Sequence, residues 1–236
     1  MPGASIPVLA VLPARIGSTR LPAKALADIH GAPMIVRTWE RAVLSNATRV
    51  VVATDDAAIA AAVERAGGEA VMTGDCASGT DRVAEAARRL GWDGLVLNVQ
   101  GDEPMIDPET ISAVADAVRD GHAIATAATP LRGDATARSR VKVVVRDDQQ
   151  ALYFSRSPIP IDGPWLLHLG VYGFQFPVLQ ALSQLPPSRL ERAESLEQLR
   201  WLEAGYSLYV AQVQHARLAV DTPEDLQQMR AMWKPL

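Results

Sequence analysis

The chain has 236 residues, 48% hydrophobic and 21% charged, and a net charge of -4 at pH 7. That is enough apolar material for one sizeable core, while scattered Lys and Arg under a negative total argue against a nucleic-acid groove built on counterion release. A single cysteine, Cys76, excludes an intrachain disulfide, no Cys/His grouping has zinc-ligand spacing, and no apolar run approaches the roughly 18 residues that cross a bilayer.

The opening residues lack the basic and apolar regions of a signal peptide, so a cytoplasmic location is expected, with a small anion bound locally and no membrane partner. Along the chain, strand 6–12, helix 34–44, strand 50–53, helix 57–66, a short strand near 70–72, helix 81–90 and strand 95–99 alternate. Strands that are apolar throughout, separated by helices of about ten residues, indicate βαβ units and a parallel sheet covered on both faces. The first hundred residues therefore read as doubly wound α/β. From residue 123 strands dominate, over 123–129, 141–145, 151–154 and 169–174, which predicts antiparallel additions to the parallel core. A helix over about 190–204, a strand over 207–212, a short strand over 218–220 and a closing helix complete the chain. For that last helix Thr222 fits the N-cap, Pro223 the first helical position, and Glu224 and Asp225 the positive end of the dipole. No internal repeat or clear linker divides the chain, so a single domain of residues 1–236 is expected.

Immediately after the first strand, Pro13-Ala14-Arg15-Ile16-Gly17-Ser18-Thr19-Arg20-Leu21-Pro22-Ala23-Lys24 packs three cations and two hydroxyls into twelve residues. Loops at the carboxyl end of a parallel strand are where α/β proteins bind ligands. Small residues let backbone N–H groups approach phosphate oxygens, Arg15 can fork two of them, and Lys24 supplies a compact charge for a departing phosphate. Neither G-x-x-x-x-G-K-[ST] nor G-x-G-x-x-G occurs, so kinase, GTPase and dehydrogenase readings lose support. On composition alone a triphosphate cradle and a solvated basic surface loop are about equally good readings. Asp102 and Asp221 follow two strands far apart in sequence and both should emerge at the carboxyl edge of the sheet. Magnesium takes oxygen ligands, commonly one or two carboxylates with substrate phosphates and water, and this pair suits it. Asp221 also suits a helix N-terminus, and Asp102 in Gly-Asp-Glu-Pro also suits a turn.

The strings Leu12-Pro13-Ala14-Arg15, Ser18-Thr19-Arg20-Leu21-Pro22, Lys24, Ser78-Gly79-Thr80-Asp81-Arg82, Val99-Gln100-Gly101-Asp102-Glu103-Pro104, Leu152-Tyr153-Phe154-Ser155-Arg156, His168-Leu169-Gly170-Val171-Tyr172-Gly173, Leu196-Glu197-Gln198-Leu199-Arg200 and Val220-Asp221-Thr222-Pro223-Glu224-Asp225-Leu226 occur in this order. Together they resemble the 3-deoxy-manno-octulosonate cytidylyltransferases (CMP-KDO synthetases), nearly from end to end. The resemblance implies a Rossmann-like, mostly parallel sheet of the nucleotide-diphospho-sugar transferase type with a smaller mixed α+β substrate and dimerisation lobe. It divides the domain into a nucleotide-binding core over about 1–130, a sugar-binding lobe over about 131–215, and a return to the core over 216–236. It implies transfer of CMP from CTP to a sugar acid for lipopolysaccharide or capsule synthesis, with magnesium held by Asp102 and Asp221, pyrophosphate stabilised by Arg15 and Lys24, and a homodimer.

By the same resemblance Pro13, Ala14, Arg15, Ser18, Lys24, Ser78, Thr80 and Gln100 contact CTP, Gln100 having an amide that both donates and accepts. Arg156, His168, Tyr172, Glu197 and Gln198 line the sugar site, with Arg156 and His168 able to supply the cation that a sugar carboxylate requires. Helical spacing with Leu196, Leu199 and Leu202 also fits Glu197 and Gln198 to a solvated helix face, and His168 between Leu167 and Leu169 also fits a structural histidine. Several positions depart from the family pattern. Gly74 and Cys76-Ala77 replace a basic residue and a histidine, residues 157–167 form a shortened segment, Phe174-Gln175 stand where an aromatic and a basic residue are usual, and 137–140 lacks an asparagine. A modified octulosonate, an amino-substituted one or a sialic-type acid is therefore an alternative substrate, and a catalytically silent nucleotide-binding homologue an alternative of another class.

Overall fold

A computed structural model describes residues 6–17, 21–214 and 219–233. The central strand β1 (Val8–Ala14) is buried from Val8 to Leu12 and lies between two parallel neighbours, which explains its unbroken apolar run. After β1 come a 3-10 turn at Lys24–Leu26, a small hairpin of β2 (Asp28–Ile29) and β3 (Ala32–Pro33), and α1 (Met34–Val43). Then β4 (Arg49–Thr54), α2 (Ala57–Arg65), β5 (Glu69–Met72), α3 (Gly79–Arg89) and β6 (Leu95–Asn98) complete the alternating half. α4 (Pro108–Arg119) is an element beyond those expected from the sequence. Its signals were present: Asp107 caps it through the Glu109 amide, Pro108 opens it, and Ile111, Val114, Ala115 and Val118 recur at helical spacing to form its buried face.

Beyond α4 lie β7 (Ile124–Pro130), β8 (Lys142–Val145), β9 (Ala151–Ser155), β10 (Leu166–Gln175), α5 (Phe176–Leu182), α6 (Arg189–Glu194), α7 (Gln198–Glu203), β11 (Tyr209–Gln212) and α8 (Pro223–Met232). One sheet runs β11-β7-β10-β6-β1-β4-β5, with β8 paired to β10 and β9. β10 is antiparallel to both β6 and β7, so β7 runs in the direction of the core strands, and β11 is parallel to β7. The expected antiparallel additions are thus β10 and the β8–β9 pair, whereas β7 and β11 extend the parallel direction. The expected helix over 190–204 is two short helices, because Ser195 adopts a left-handed φ of 54° that breaks the hydrogen-bond ladder and turns the chain. Of the expected strand over 218–220, Leu218 lies outside the described residues, and residues 219 and 220 belong to no strand.

Helices α1, α2 and α4 bury Ile35, Ile59, Ile111 and Val114 on one face of the sheet, and α3, α5 and α7 bury Val83, Leu179, Leu199 and Trp201 on the other. Each such side chain, fully withdrawn from water, contributes about 1.5–3 kcal/mol. A third cluster joins Ile29 and Met34 to Val220, Leu226 and Met229, so that α8 docks on the β2–β3 hairpin. That docking brings residue 221 back beside the carboxyl edge of the core. β10 and β11, from the segment assigned to the lobe, belong to the central sheet, and β8–β9 with α6–α7 are what the lobe adds to it. Among the described residues no helix is long and apolar enough to cross a membrane.

Candidate active site

At the carboxyl ends of β1 and β6 the chain opens a cleft of about 360 Å³. Its walls come from the loop after β1, the loop before α3, the turn after β6, and Asp221. Pro13, Ala14, Arg15, Lys24, Ser78, Gln100, Asp102 and Asp221 all line it. Thr80, one residue inside α3, is buried behind that wall. Ser18 lies outside the described residues. Arg15 extends exposed along one side, and Gly17 leaves open space beside it.

The centre of the site is Lys24. Ala23 takes a left-handed φ of 52°, which turns the chain so that Lys24 opens the 3-10 turn and points inward. Its Nζ donates to Asp102 Oδ2 at 2.6 Å, to Asp221 Oδ1 at 3.1 Å and to the Val220 carbonyl at 3.0 Å. Residues 102 and 221 are held together independently, because the Val220 N–H donates to the Asp102 carbonyl at 3.0 Å. Burial lowers the pKa of Lys24, but attraction and hydrogen bonds from Asp102 and Asp221 outweigh it, leaving the ammonium above its ordinary value. The lysine is therefore charged and engaged with the carboxylates, where the sequence reading had it waiting for a departing phosphate. Two carboxylates that reach one cation from separate elements form a donor set that also suits a divalent ion completed by phosphate oxygens.

Asp221 sits just before α8. Thr222 is the N-cap, with Oγ1 accepting from the Asp225 N–H at 3.1 Å, and the Asp225 carboxylate accepts from the amides of Asp221 and Thr222. The expected capping role of Thr222 and the placement of Asp221 thus coexist. Behind Asp102, the buried Thr38 hydroxyl donates to the Gly101 carbonyl at 3.0 Å, fixing the turn. A side chain on Gly101 would meet Ile35 Cδ1 and the Pro13 carbonyl oxygen, both at 3.0 Å, so glycine lets this turn lie against the first loop without displacing it.

Cys76, Ala77 and Arg82 also line the cleft, and none had been assigned a role. Arg82 is 4% exposed and donates to Asp55 Oδ2 at 2.6 Å and to the Thr73 hydroxyl. Glu85 accepts from the Gly74 N–H at 2.9 Å and from the Cys76 thiol at 3.2 Å. Burial together with Glu85 pushes that thiol up to about 11, so it is a neutral, unreactive group at pH 7. The signal for Arg82 was its position four residues after Ser78 on a helix that starts at the cleft, which turns its side chain back beneath the loop.

The residues assigned to the sugar meet around β10 and α7. Tyr172 is buried, with its ring 5.4 Å from His168 and 5.0 Å from Trp201. His168 pairs through Nε2 with the Thr126 hydroxyl at 2.9 Å, and burial lowers its pKa to about 3. It is neutral at pH 7 and cannot be the expected cation. Arg156 donates from Nε to the Glu194 carbonyl and from its two terminal nitrogens to the carbonyls of Arg138 and Ser195. Its guanidinium is built into the bend between α6 and α7 and does not stand ready as a fork for a carboxylate. Gln198 is 3% exposed and Glu197 accepts from the Thr80 hydroxyl at 2.6 Å, so neither sits on a solvated helix face. Glu103 was not singled out. It lies by Gln100 and Gly170, and burial, with Asp102 adding to it, raises its carboxyl to about 8.

Comparison with known proteins matches residues 9–214 to the cytidylyltransferase family model. A 3-deoxy-manno-octulosonate cytidylyltransferase of Anaeromyxobacter sp. (strain K) is 48% identical over 234 residues, covering 95% of this chain and 97% of that protein. One from Syntrophobacter fumaroxidans is likewise 48% identical, covering 93% of this chain and 94% of its own length. Among solved structures, a CMP:2-keto-3-deoxy-manno-octonic acid synthetase complexed with CTP superposes with a TM-score of 0.91 at 44% identity, covering 96% of this chain and 98% of that one. A cytidylyltransferase from Leptospira borgpetersenii, 19% identical with a TM-score of 0.64, shares the fold.

Proposed function

The chain belongs to the 3-deoxy-manno-octulosonate cytidylyltransferase family, and from that premise we propose that it transfers CMP from CTP to the anomeric hydroxyl of 3-deoxy-manno-octulosonate, releasing pyrophosphate. The observation that carries this reading is the convergence of Asp102 and Asp221 on Lys24 at the floor of a cleft walled by the Arg15 loop. The sugar hydroxyl attacks the α-phosphorus in line, a new P–O bond forms, the bond to the β-phosphate oxygen breaks, and no covalent enzyme intermediate is needed.

Catalysis of this kind is positioning and charge neutralisation. Asp102 and Asp221 would hold a divalent cation, magnesium in this reading, which supplies positive charge at the α-phosphate and lowers the pKa of the attacking hydroxyl. Arg15 forks phosphate oxygens from the cleft side. Lys24 fixes the two carboxylates and adds a charge toward the pyrophosphate. Ser78, Thr80 and Gln100 serve the nucleoside end, with Arg82 and Glu85 holding the loop before α3. Tyr172, Glu197, Gln198 and neutral His168 shape the sugar side, and Arg156 holds the bend that carries Glu197. A cytoplasmic homodimer serving lipopolysaccharide or capsule synthesis fits the same reading, and exposed Leu152 and Ile161 on the lobe suit a subunit contact that light scattering would test.

The test is pyrophosphate release with CTP, magnesium chloride and a panel of sugar acids, repeated with the other nucleoside triphosphates. Turnover is expected with CTP and 3-deoxy-manno-octulosonate. CTP binding without turnover on any acid would overturn the assignment in favour of a silent homologue, and turnover confined to an amino-substituted or sialic-type acid would replace its substrate.

A further inference from the structure

Glu197 lies on the lobe side of the molecule, yet its carboxylate is bonded to the nucleotide side. The Thr80 hydroxyl donates to Oε2 at 2.6 Å across 117 residues of sequence. Arg200, three residues on, forks Glu191 and acts on Glu197 only as a nearby charge. The network continues inward. Asn98, 1% exposed, donates from Nδ2 to the Thr80 oxygen at 3.5 Å, and Gln100 Nε2 donates to Asn98 Oδ1 at 3.5 Å and to the Gly170 carbonyl at 3.3 Å.

The chemistry of this chain gives it a direction. An ionised carboxylate only accepts, so Glu197 makes Thr80 the donor and leaves the threonine lone pairs for the Asn98 amide. The Asn98 carbonyl then faces Gln100, whose NH₂ group is drawn to Asn98 and Gly170. The Gln100 carbonyl oxygen is left as the acceptor toward the cleft, matched to a ligand N–H or O–H such as an exocyclic amine or a ribose hydroxyl. Charge-assisted first members and buried middle members make such a chain sensitive to loss of its terminus.

We propose that Glu197 is a positioning residue of the nucleotide subsite, holding Thr80 at the start of α3 and, through Asn98, setting the donor and acceptor sense of Gln100. The proposal rests on the CTP reading of the cleft. It predicts that a residue in the sugar lobe governs CTP affinity when no sugar is present.

The test is calorimetric titration of CTP with magnesium into wild type, Glu197→Ala, Glu197→Gln, Thr80→Val and the double variant Glu197→Ala/Thr80→Val, all without sugar acid. Glu197→Ala and Thr80→Val should each weaken CTP about tenfold, the double variant should be no weaker than the worse single, and Glu197→Gln should recover most of the loss. Wild-type affinity for CTP in both Glu197→Ala and Thr80→Val, with only the KM for the sugar acid raised, would overturn the proposal. Additive losses in the double variant would overturn it too. Failure of wild type itself to bind CTP would instead bring down the functional reading. Where Glu197→Ala does not fold, Thr80→Val and Glu197→Gln decide alone.

Discussion

Replacing Lys24 by Met keeps the length and apolar stem of the side chain but removes the charge that Asp102 and Asp221 share. In the native chain the ammonium lies 2.6 Å from one carboxylate and 3.1 Å from the other, with side-chain exposures of 16% for Lys24, 31% for Asp102 and 39% for Asp221. Hydrogen bonds between charged partners contribute roughly 1.5–3 kcal/mol when shielded, and the exposure of Asp221 reduces its share. Two carboxylates left side by side then add a repulsion of order 1–2 kcal/mol at an effective dielectric of about 20 or above. Recovery of the desolvation cost of Lys24 offsets part of this, leaving a net loss of about 2–3 kcal/mol. For a chain of this size that is a fall in melting temperature of roughly 4–12 °C. The distinctive expectation concerns the metal: the variant's melting temperature in EDTA should be low and should rise steeply with magnesium, since a divalent ion can replace the ammonium between the carboxylates. Wild type should respond much less before CTP is added. Because Lys24 is raised above its ordinary pKa, its stabilisation is fully present at neutral pH and is lost only as pH climbs past 10.5. Differential scanning calorimetry at pH 7, with and without magnesium, makes the comparison. A variant that melts with wild type in EDTA and ignores magnesium would refute the shared-cation picture.

Asp102→Asn should abolish pyrophosphate release while leaving the circular dichroism spectrum near wild type and the melting temperature lowered by less than in Lys24→Met, since the neutral amide still accepts from Lys24. Gly101→Ala would press a methyl group 3.0 Å from the Pro13 carbonyl, and because that partner is backbone the first loop must shift. A loss of roughly 1–3 kcal/mol in urea unfolding is expected, with weakened CTP binding by calorimetry. His168 titrates in the unfolded chain near 6.5 but only at about 3 in the fold, so the native state refuses a proton that the unfolded state accepts. Its contribution is intact above pH 6.5 and falls by about 1.4 kcal/mol per pH unit below it, or roughly 2–3 kcal/mol by pH 4.5. Denaturant unfolding at pH 7 and 4.5 should show His168→Gln losing that much less stability than wild type over the interval.

The parallel half of the fold was legible because β1, β4 and β6 are largely buried and the helices between them carry apolar stripes. Both requirements are written in local periodicity. β10 was harder to place: its residues show that it is a strand, but its antiparallel insertion between β6 and β7 follows from where the lobe returns the chain, a long-range fact. Ser195 illustrates a different limit. Leu196, Leu199 and Leu202 keep helical spacing immediately after the break, and nothing in their pattern announces the left-handed residue that precedes them. Within the site, Asp102, Asp221 and Lys24 could be named because the ordered motifs around them resemble a family, while the residues alone left turn, helix-end and surface-loop readings open. Arg82, Asn98 and Glu103 could not, because their functions depend on partners more than ten residues distant or on neighbouring elements.

The two halves of the site differ in how directly their residues state their chemistry. On the side proposed for the nucleotide the charges face the cleft, and their types match what a triphosphate requires. On the side proposed for the sugar the expected cations are turned to structural use: Arg156 binds three carbonyls at the bend, and burial keeps His168 neutral. A carboxylate, Glu197, then joins that bend to the start of α3. This bond ties the N-terminal side of α7 to the start of α3, where small displacements of α7 reach Thr80 directly. An exchange of sugar acid that moves α7 should therefore alter the nucleotide subsite as well. For such an exchange, changes in KM for CTP carry as much information about the lobe as changes in KM for the acid.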